Sequence, residues 1–557
     1  MNKIFYILLF LLLLGSSEIH AQEIQSDSIV KELLKEWGVP ITDHNQVKLL
    51  KNGKAKFADM FDAIAQAKHH IHLEYFNFRN DSIASVLFEL LAQKAAEGVE
   101  VRALFDAFGN MSNNQPLKNK HLKEIRARGI EIYKFDPIRF PYVNHVLKRD
   151  HRKIVVIDGK VAYTGGMNVA DYYLNGTPQV GSWRDMHMSI EGPAVNDLQR
   201  IFLKTWNKVT KQHLDGEAYF FVEDKKVSSA EESIQHSSNV EASNIKASNL
   251  GESNGKDFNL EDSNIKDSNL GTSSFGESNP KEYNIGESNS KESNLVESSL
   301  KDSNLGKSNV EDSNLGESSL KEPSPKESLL EEFNLGTSNS EESFLDVSKN
   351  ENLPLLQAVL TELDTVHAGI GPVHTDVELA IVDREPGVTP KWIRRAYAAS
   401  IDEADEKIQL INPYFVPTHS IKKALKKALK RGIDVEIMIS SKSDIPFTPD
   451  ASLYFAYKLV KRGAKVYLYD KGFHHSKIMM VDDTFCTLGS ANLNSRSLRY
   501  DYEVNAFIFD KGVTKEMTDM FQADKQDSTE LTKEIWKKRS RWKRFVGWFA
   551  NIFAPFL

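Results

Sequence analysis
The chain has 557 residues, enough for two or more domains, with 70 Lys and Arg against 78 Asp and Glu and a formal net charge of −8. That acidic balance gives no global case for binding nucleic acid, whose phosphates call for basic surface. The single cysteine, Cys486, excludes an internal disulfide and any cysteine-based metal site.

The amino terminus reads MNKIFYILLFLLLLGSSEIHAQ, with Lys3 ahead of an apolar run from Ile4 to Leu14 and small residues from Ser16 to Ala21. This is a signal-peptide pattern with cleavage after Ala21, so residues 1–21 are read as a signal peptide or an uncleaved anchor, and the body as exported. The apolar run is short for a spanning helix, and no cysteine follows it to carry a lipid.

Residues 35–220 read as a first α/β domain. HHIHLEYFNF, VEVRALFDAFG and IEIYKF are strands, and SIASVLFELLAQKAAEG and LKEIRARG are the helices between them. The alternation implies mostly parallel strands with helices against them. Then comes HRKIVVIDGK, from His151. His151 and Lys153 are two apart on a strand and point the same way. Asp158-Gly159 is expected as a two-residue hairpin turn, which brings Gly166 back opposite His151 and Asn168 beside it. Gly166 then leaves room for a ligand to reach the backbone, and an imidazole, an ammonium and an amide gather at one end of the hairpin, groups suited to a phosphate. Asp158 falls at the far tip and reads as a turn residue. A better carboxylate for the imidazole follows in SWRDMHM, at Asp185, where one ring nitrogen could be fixed and the other left to react.

Residues 225–350 are a low-complexity insertion that from Ser238 repeats every five residues, SNVEA SNIKA SNLGE. It is polar, charged and poor in aromatics, which predicts a disordered tether. The alternative is a pentapeptide-type β-solenoid burying a column of Leu, Ile and Val, a column that Gly255, Pro280 and Ser290 interrupt. Residues 352–530 then repeat the grammar of the first domain, with strands EKIQLINPYFVP, IDVEIMISSKSD and KVYLYD and helices SIKKALKKALKRG and YKLVKRG. HHSKIMMVDD carries the second motif in the same register: His475, Lys477, Asp482, Ser490 and Asn492, with Glu503 in RYDYEVN as the later carboxylate. Residues 531–557 close the chain with WKKRSRWKRFVGWFANIFAPFL, where Trp542, Phe545, Val546, Phe549, Ile552 and Phe553 share one helical face behind a basic cluster. A basic amphipathic helix with aromatics suits an anionic membrane surface, the alternative being a helix packed on the body.

Paired H-x-K-x4-D motifs followed by G-[GS]-x-N resemble those of the phospholipase D superfamily. GGMNVADYYL, WRDMHMSIEGPAV, NPYFVP, SANLNSRSL and DYEVNAFIFD are similar to the bacterial cardiolipin synthase branch. The resemblance implies two similar α/β domains, each a mixed sheet flanked by helices, with one active site at their pseudo-twofold interface. It groups His151, Lys153, Asp158, His475, Lys477 and Asp482 as catalytic. One histidine, with His151 preferred, would attack phosphorus while the other serves as acid and base. Lys153, Lys477, Asn168, Asn492, Gly166 and Ser490 would hold the phosphate, and Asp185 and Glu503 would orient the rings. No metal or other cofactor is implied. The expected activity is transfer of a phosphatidyl group between two phosphatidylglycerol molecules at an anionic membrane, on the extracytoplasmic face. A hydrolytic phospholipase D and a secreted nuclease are its rivals. Two features depart from the branch: typical members carry two membrane spans at the front, and the five-residue repeat is foreign to the pattern.

Overall fold
The computed structural model describes residues 26–137, 147–220 and 368–550. The expected signal segment, the whole repeat insertion and the last residues of the tail, including Ile552 and Phe553, lie outside them.

The first half supplies β1 (Thr42–Leu50), β2 (His70–Tyr75), β3 (Glu100–Asp106), β4 (Glu131–Phe135), β5 (Ile154–Ile157), β6 (Val161–Gly165), β7 (Ser182–Arg184) and β8 (His187–Glu191). The second supplies β9 (Ile370–Arg384), β10 (Lys407–Ile411), β11 (Asp434–Ser440), β12 (Lys465–Tyr469), β13 (Gly472–His474), β14 (Ile478–Val481), β15 (Phe485–Gly489), β16 (Glu503–Phe509) and β17 (Ser528–Glu530). All but β7 and β13 join one 15-stranded sheet. Outward from the antiparallel β1–β9 pair, one side runs β8-β6-β5-β2-β3-β4 and the other β16-β15-β14-β10-β11-β12, with β17 at the edge. The order is the same on both sides, so the internal repeat is a repeat of topology.

Local chemistry explains the elements. Every side chain of β2 is buried, as expected of a strand covered on both faces. The helix Ser82–Ala96 starts on Asp81, whose carboxylate accepts the Ala84 N–H, and His419–Arg431 ends at Gly432 in the left-handed region. The helices Val195–Thr210 and Lys511–Gln526 lie over the centre of the sheet, where Leu198, Val513 and Met517 share a core with β-strand residues of both halves. The helix Ser26–Glu36, ahead of the first half, packs into the core of the second: Val30 and Leu34 join the cluster of Tyr397 and Ile408, and Ser26 bonds Asp482 at 2.8 Å.

Both halves close this sheet through contacts among the described residues alone. Replacing Ser238–Ser343 by a short Gly/Ser linker is therefore expected to leave turnover within about threefold. A folded product with no activity would contradict this.

Candidate active site
Each motif hairpin is one residue longer at its turn than expected. Ile157 pairs with Val161 and Val481 with Phe485, so the loops are Asp158-Gly159-Lys160 and Asp482-Asp483-Thr484. The central residues keep the positive φ of the expected turn, 53° and 65° in the first and 50° and 53° in the second. The added residue shifts the return strand by one position relative to the expected pairing of Gly166 with His151 and Ser490 with His475.

The histidines lie just before β5 and β14, where the chain leaves its own sheet and pairs with the other half. His151 donates its backbone N–H to Tyr502 O at 3.0 Å, and His475 donates to Arg184 O at 2.6 Å, extending the parallel β7–β13 pair. The residues that follow those acceptors are Glu503 and Asp185. Backbone pairing thus delivers each carboxylate to the imidazole of the opposite half, which corrects the expected pairing of Asp185 with His151 and of Glu503 with His475. His151 Nδ1 is 3.1 Å from both Glu503 oxygens, and His475 Nδ1 is 2.7 Å from Asp185 Oδ2. With Nδ1 engaged, Nε2 of each ring is the atom left for chemistry.

Lys153 and Lys477 are fully buried, and each ammonium lies 2.5 Å from the carbonyl oxygen of its own motif histidine. Lys477 Nζ also lies 3.0 and 3.1 Å from the two ring nitrogens of His475. Asn168 and Asn492 are buried, and the Oδ1 of each is an acceptor with no hydrogen-bond partner among the described residues, while the amide N–H groups are the donors that a phosphate oxygen requires.

Burial dominates the electrostatics. It draws His151 down to about 4 against the pull of Glu503, and lowers His475, where Lys477 adds to the effect. Burial also draws Lys153 to about 7 and Lys477 to about 8. Burial opposes ionisation of Asp185 and Glu503, but their histidines and nearby lysines outweigh it, holding Asp185 at about 2 and Glu503 below its ordinary value. At neutral pH the pocket therefore carries two carboxylates, a mostly charged Lys477 and a Lys153 near its midpoint, with both imidazoles neutral. An arriving phosphodiester anion favours the imidazolium form of a neighbouring ring, so binding should take up a proton. The free-enzyme profile, kcat/KM, is expected to fall on the acid side only below the ordinary histidine range. On the alkaline side it should begin to fall once free His475 has lost the proton that binding restores, and fall further from about pH 7 to 8 as Lys153 and Lys477 lose their charge. An alkaline limb near 10 would contradict it.

Asp158 and Asp482 are the turn residues that the hairpin geometry predicts. Asp158 accepts the backbone N–H groups of Lys68, His69 and His70 at 2.8, 2.8 and 3.0 Å. Asp482 does the same for Asp405, Glu406 and Lys407 at 2.9, 2.8 and 2.8 Å. Both sit at the hairpin tip and tie down the start of a neighbouring strand, so the motif pattern groups them with the catalytic set although they make no contact with it. Gly166 and Ser490 lie against the two carboxylates. A Cβ on Gly166 would lie 2.2 Å from Asp185 Oδ1, and Ser490 spends its hydroxyl on Glu503 Oε2 at 2.5 Å. Gly166→Ala is thus expected to displace Asp185 and lower turnover about 100-fold; wild-type turnover would show that the carboxylate position is not needed.

Other parts of the site had no clear sequence signal. Phe76 lies 5.1 Å from the His151 ring, and Phe473, Trp183 and Tyr414 lie 5.3, 5.6 and 5.9 Å from that of His475. Trp183 and Tyr414 stand in quoted strings, WRDMHM and NPYFVP, yet nothing in spacing places an aromatic wall there. Arg152, between the two motif residues, is buried against Glu74, Thr205 and Asp383. Asp150, next to His151, takes its backbone N–H to Asp106 Oδ2 at 2.8 Å. Among the described residues no group of three or more His, Cys, Asp or Glu side chains is arranged to hold a metal ion.

The family described as "Cardiolipin synthase, PLD-like domain" matches residues 60–206 and 397–525, one stretch around each hairpin. A cardiolipin synthase of Listeria monocytogenes serotype 4b is 27% identical, covering 94% of this chain and 78% of its own length. The major cardiolipin synthase ClsA of Bacillus subtilis is 27% identical, with 93% and 76% covered. The crystal structure of phosphatidylserine synthase from Haemophilus influenzae superposes with a TM-score of 0.53 at 12% identity over 95% of this chain and 100% of its own, a likeness of fold. Matched over both motif copies and built as two like halves around them, the chain belongs to the phospholipase D superfamily, in its cardiolipin synthase-like branch.

Proposed function
We propose that the protein is a cardiolipin synthase, a phosphatidyltransferase that joins two phosphatidylglycerol molecules and releases one glycerol. The observation that carries this is the crossed pair of carboxylate-oriented histidines, each with a buried lysine, at one interface. The names of the relatives support the lipid class.

In the first step His151 Nε2 attacks phosphorus and the P–O bond to glycerol breaks, while His475 gives its proton to the departing oxygen. Lys153, Lys477, Asn168 and Asn492 hold the non-bridging oxygens and stabilise the charge that builds on them. In the second step neutral His475 takes the proton of a second phosphatidylglycerol hydroxyl. That oxygen attacks phosphorus, and the P–N bond to His151 breaks. Purified protein on phosphatidylglycerol vesicles should yield cardiolipin and glycerol in equal amounts. Phosphatidic acid as the main product would make water the acceptor.

The membrane partner and an extracytoplasmic location belong to the same proposal. No helix among the described residues is long and apolar enough to cross a bilayer. The helix Arg541–Ala550 packs one side on the body and leaves aromatic side chains exposed, which supports a membrane-surface role. Gly547 packs against the helix Thr448–Val460, while Trp542, Phe545, Trp548 and Phe549 stay exposed and Val546 is half-buried. Removing Arg541–Leu557 should weaken turnover on vesicles about tenfold and leave that on dispersed short-chain substrate nearly unchanged. Equal losses would make the helix part of the fold only.

A further inference from the structure
A second apolar element stands beside the tail, at the wall of the active site. Ile445 and Phe447 are 46% and 69% exposed, although both are large and apolar. Their loop is ordered by bonds among its polar members. Ser443 Oγ is 2.8 Å from Thr448 Oγ1, the Thr448 hydroxyl donates to Ile445 O at 2.7 Å, and Ile445 N–H donates to Ser443 Oγ at 3.2 Å. Phe447 has φ 68°, a conformation unfavourable for a residue with a Cβ, and it opens the helix Thr448–Val460 with no side-chain cap. The loop thus spends its polar groups inward, accepts backbone strain, and holds two hydrophobic side chains in water with no core gained.

Its neighbours say what covers it. On one side Asp444 accepts the Tyr414 hydroxyl at 2.6 Å, and the Tyr414 ring is 5.9 Å from His475. On the other, the first turn of Thr448–Val460 is where the tail docks. Arg539 pairs with Asp450, and a Cβ on Gly547 would lie 2.5 Å from Asp450 O. The exposed Trp542, Phe545, Trp548 and Phe549 therefore extend from the same helix end. The surrounding positive charges, Lys442 in the loop and Lys537, Lys538, Arg541 and Lys543 by the tail, complement an anionic surface.

We propose that Ile445 and Phe447 insert among the acyl chains of an anionic bilayer alongside the tail helix, so that the wall beside His475 opens directly onto lipid. The proposal rests on the phosphatidyltransferase reading. Seated this way, the site receives a phosphodiester whose acyl chains never cross water, and its nearest alcohol is that of a second lipid.

The test uses the full chain. Cys486 is fully buried, so Phe447→Cys creates the one accessible thiol among the described residues for an environment-sensitive nitrobenzoxadiazole label. Lys68→Cys, at the hairpin-tip end beside Asp158, serves as control. On phosphatidylglycerol vesicles the label at position 447 should brighten severalfold and shift to shorter wavelength, and the control should not change. The double variant Ile445→Ser, Phe447→Ser should lose about tenfold on vesicles and stay within about twofold on dispersed short-chain phosphatidylglycerol. Unchanged emission at position 447 on vesicles that the protein turns over would overturn the insertion and leave the transferase reading standing, as would equal losses on both substrates. Insertion without any turnover of phosphatidylglycerol would uphold the surface and overturn the substrate.

Discussion

His151→Ala and His475→Ala are each expected to lower turnover of phosphatidylglycerol by about 10⁴- to 10⁶-fold, and the double variant to be no worse. The two rings act in one sequence: without His151 no phosphorus–nitrogen bond forms, and without His475 the glycerol oxygen leaves as an unprotonated alkoxide. The variants should part company on a substrate whose leaving group needs no proton, such as a nitrophenyl ester. His475→Ala should release one burst of nitrophenol and then stall, because no base remains to activate the acceptor. His151→Ala should release none. A burst from His151→Ala alone would exchange the roles of the two rings.

The second large effect follows from the crossed pairing. Asp185→Asn and Glu503→Gln should each cost about 10³- to 10⁴-fold, because an amide favours the wrong tautomer and stabilises no imidazolium. Since Glu503 bonds His151 and Asp185 bonds His475, the losses should fall on different steps. Glu503→Gln should slow the nitrophenol burst itself. Asp185→Asn should leave that burst nearly intact and slow transfer to the acceptor. Pairing within each half would give the reverse pattern, so burst amplitudes and rates in the two variants separate the arrangements.

Much of this was legible in the chain. The matching registers of His151–Asn168 and His475–Asn492 announce two equivalent hairpins, and the strand and helix strings of both halves appear at their expected places, from His70–Tyr75 to Lys465–Tyr469. Spacing also singled out Asp185 and Glu503 as carboxylates for the rings. It pointed each to the ring of its own half, and the structure crosses them, because the choice depends on backbone pairing of His151 with Tyr502 and His475 with Arg184, contacts between residues more than 250 apart in sequence. A one-residue difference in turn length also offsets Gly166 and Ser490 by one position from the expected pairing with His151 and His475, since register on a hairpin is set at its tip. The joining of the halves through β1 and β9 was equally hidden. β9 runs from Ile370 to Arg384 with much of its first part exposed, so it lacks the continuous apolar run that marks a buried strand. The aromatic wall of Phe76, Trp183, Tyr414 and Phe473 comes from four separate segments and has no periodicity of its own.

The most direct test of a two-step transfer at this crossed site is to trap the intermediate. His475→Ala, mixed with a nitrophenyl phosphodiester carrying a labelled phosphoryl group, is quenched within the burst and digested under conditions that preserve phosphohistidine. One label per chain is expected, on the peptide that contains His151, formed as fast as nitrophenol appears. Label on another residue, or a full burst with no covalent adduct, would contradict it.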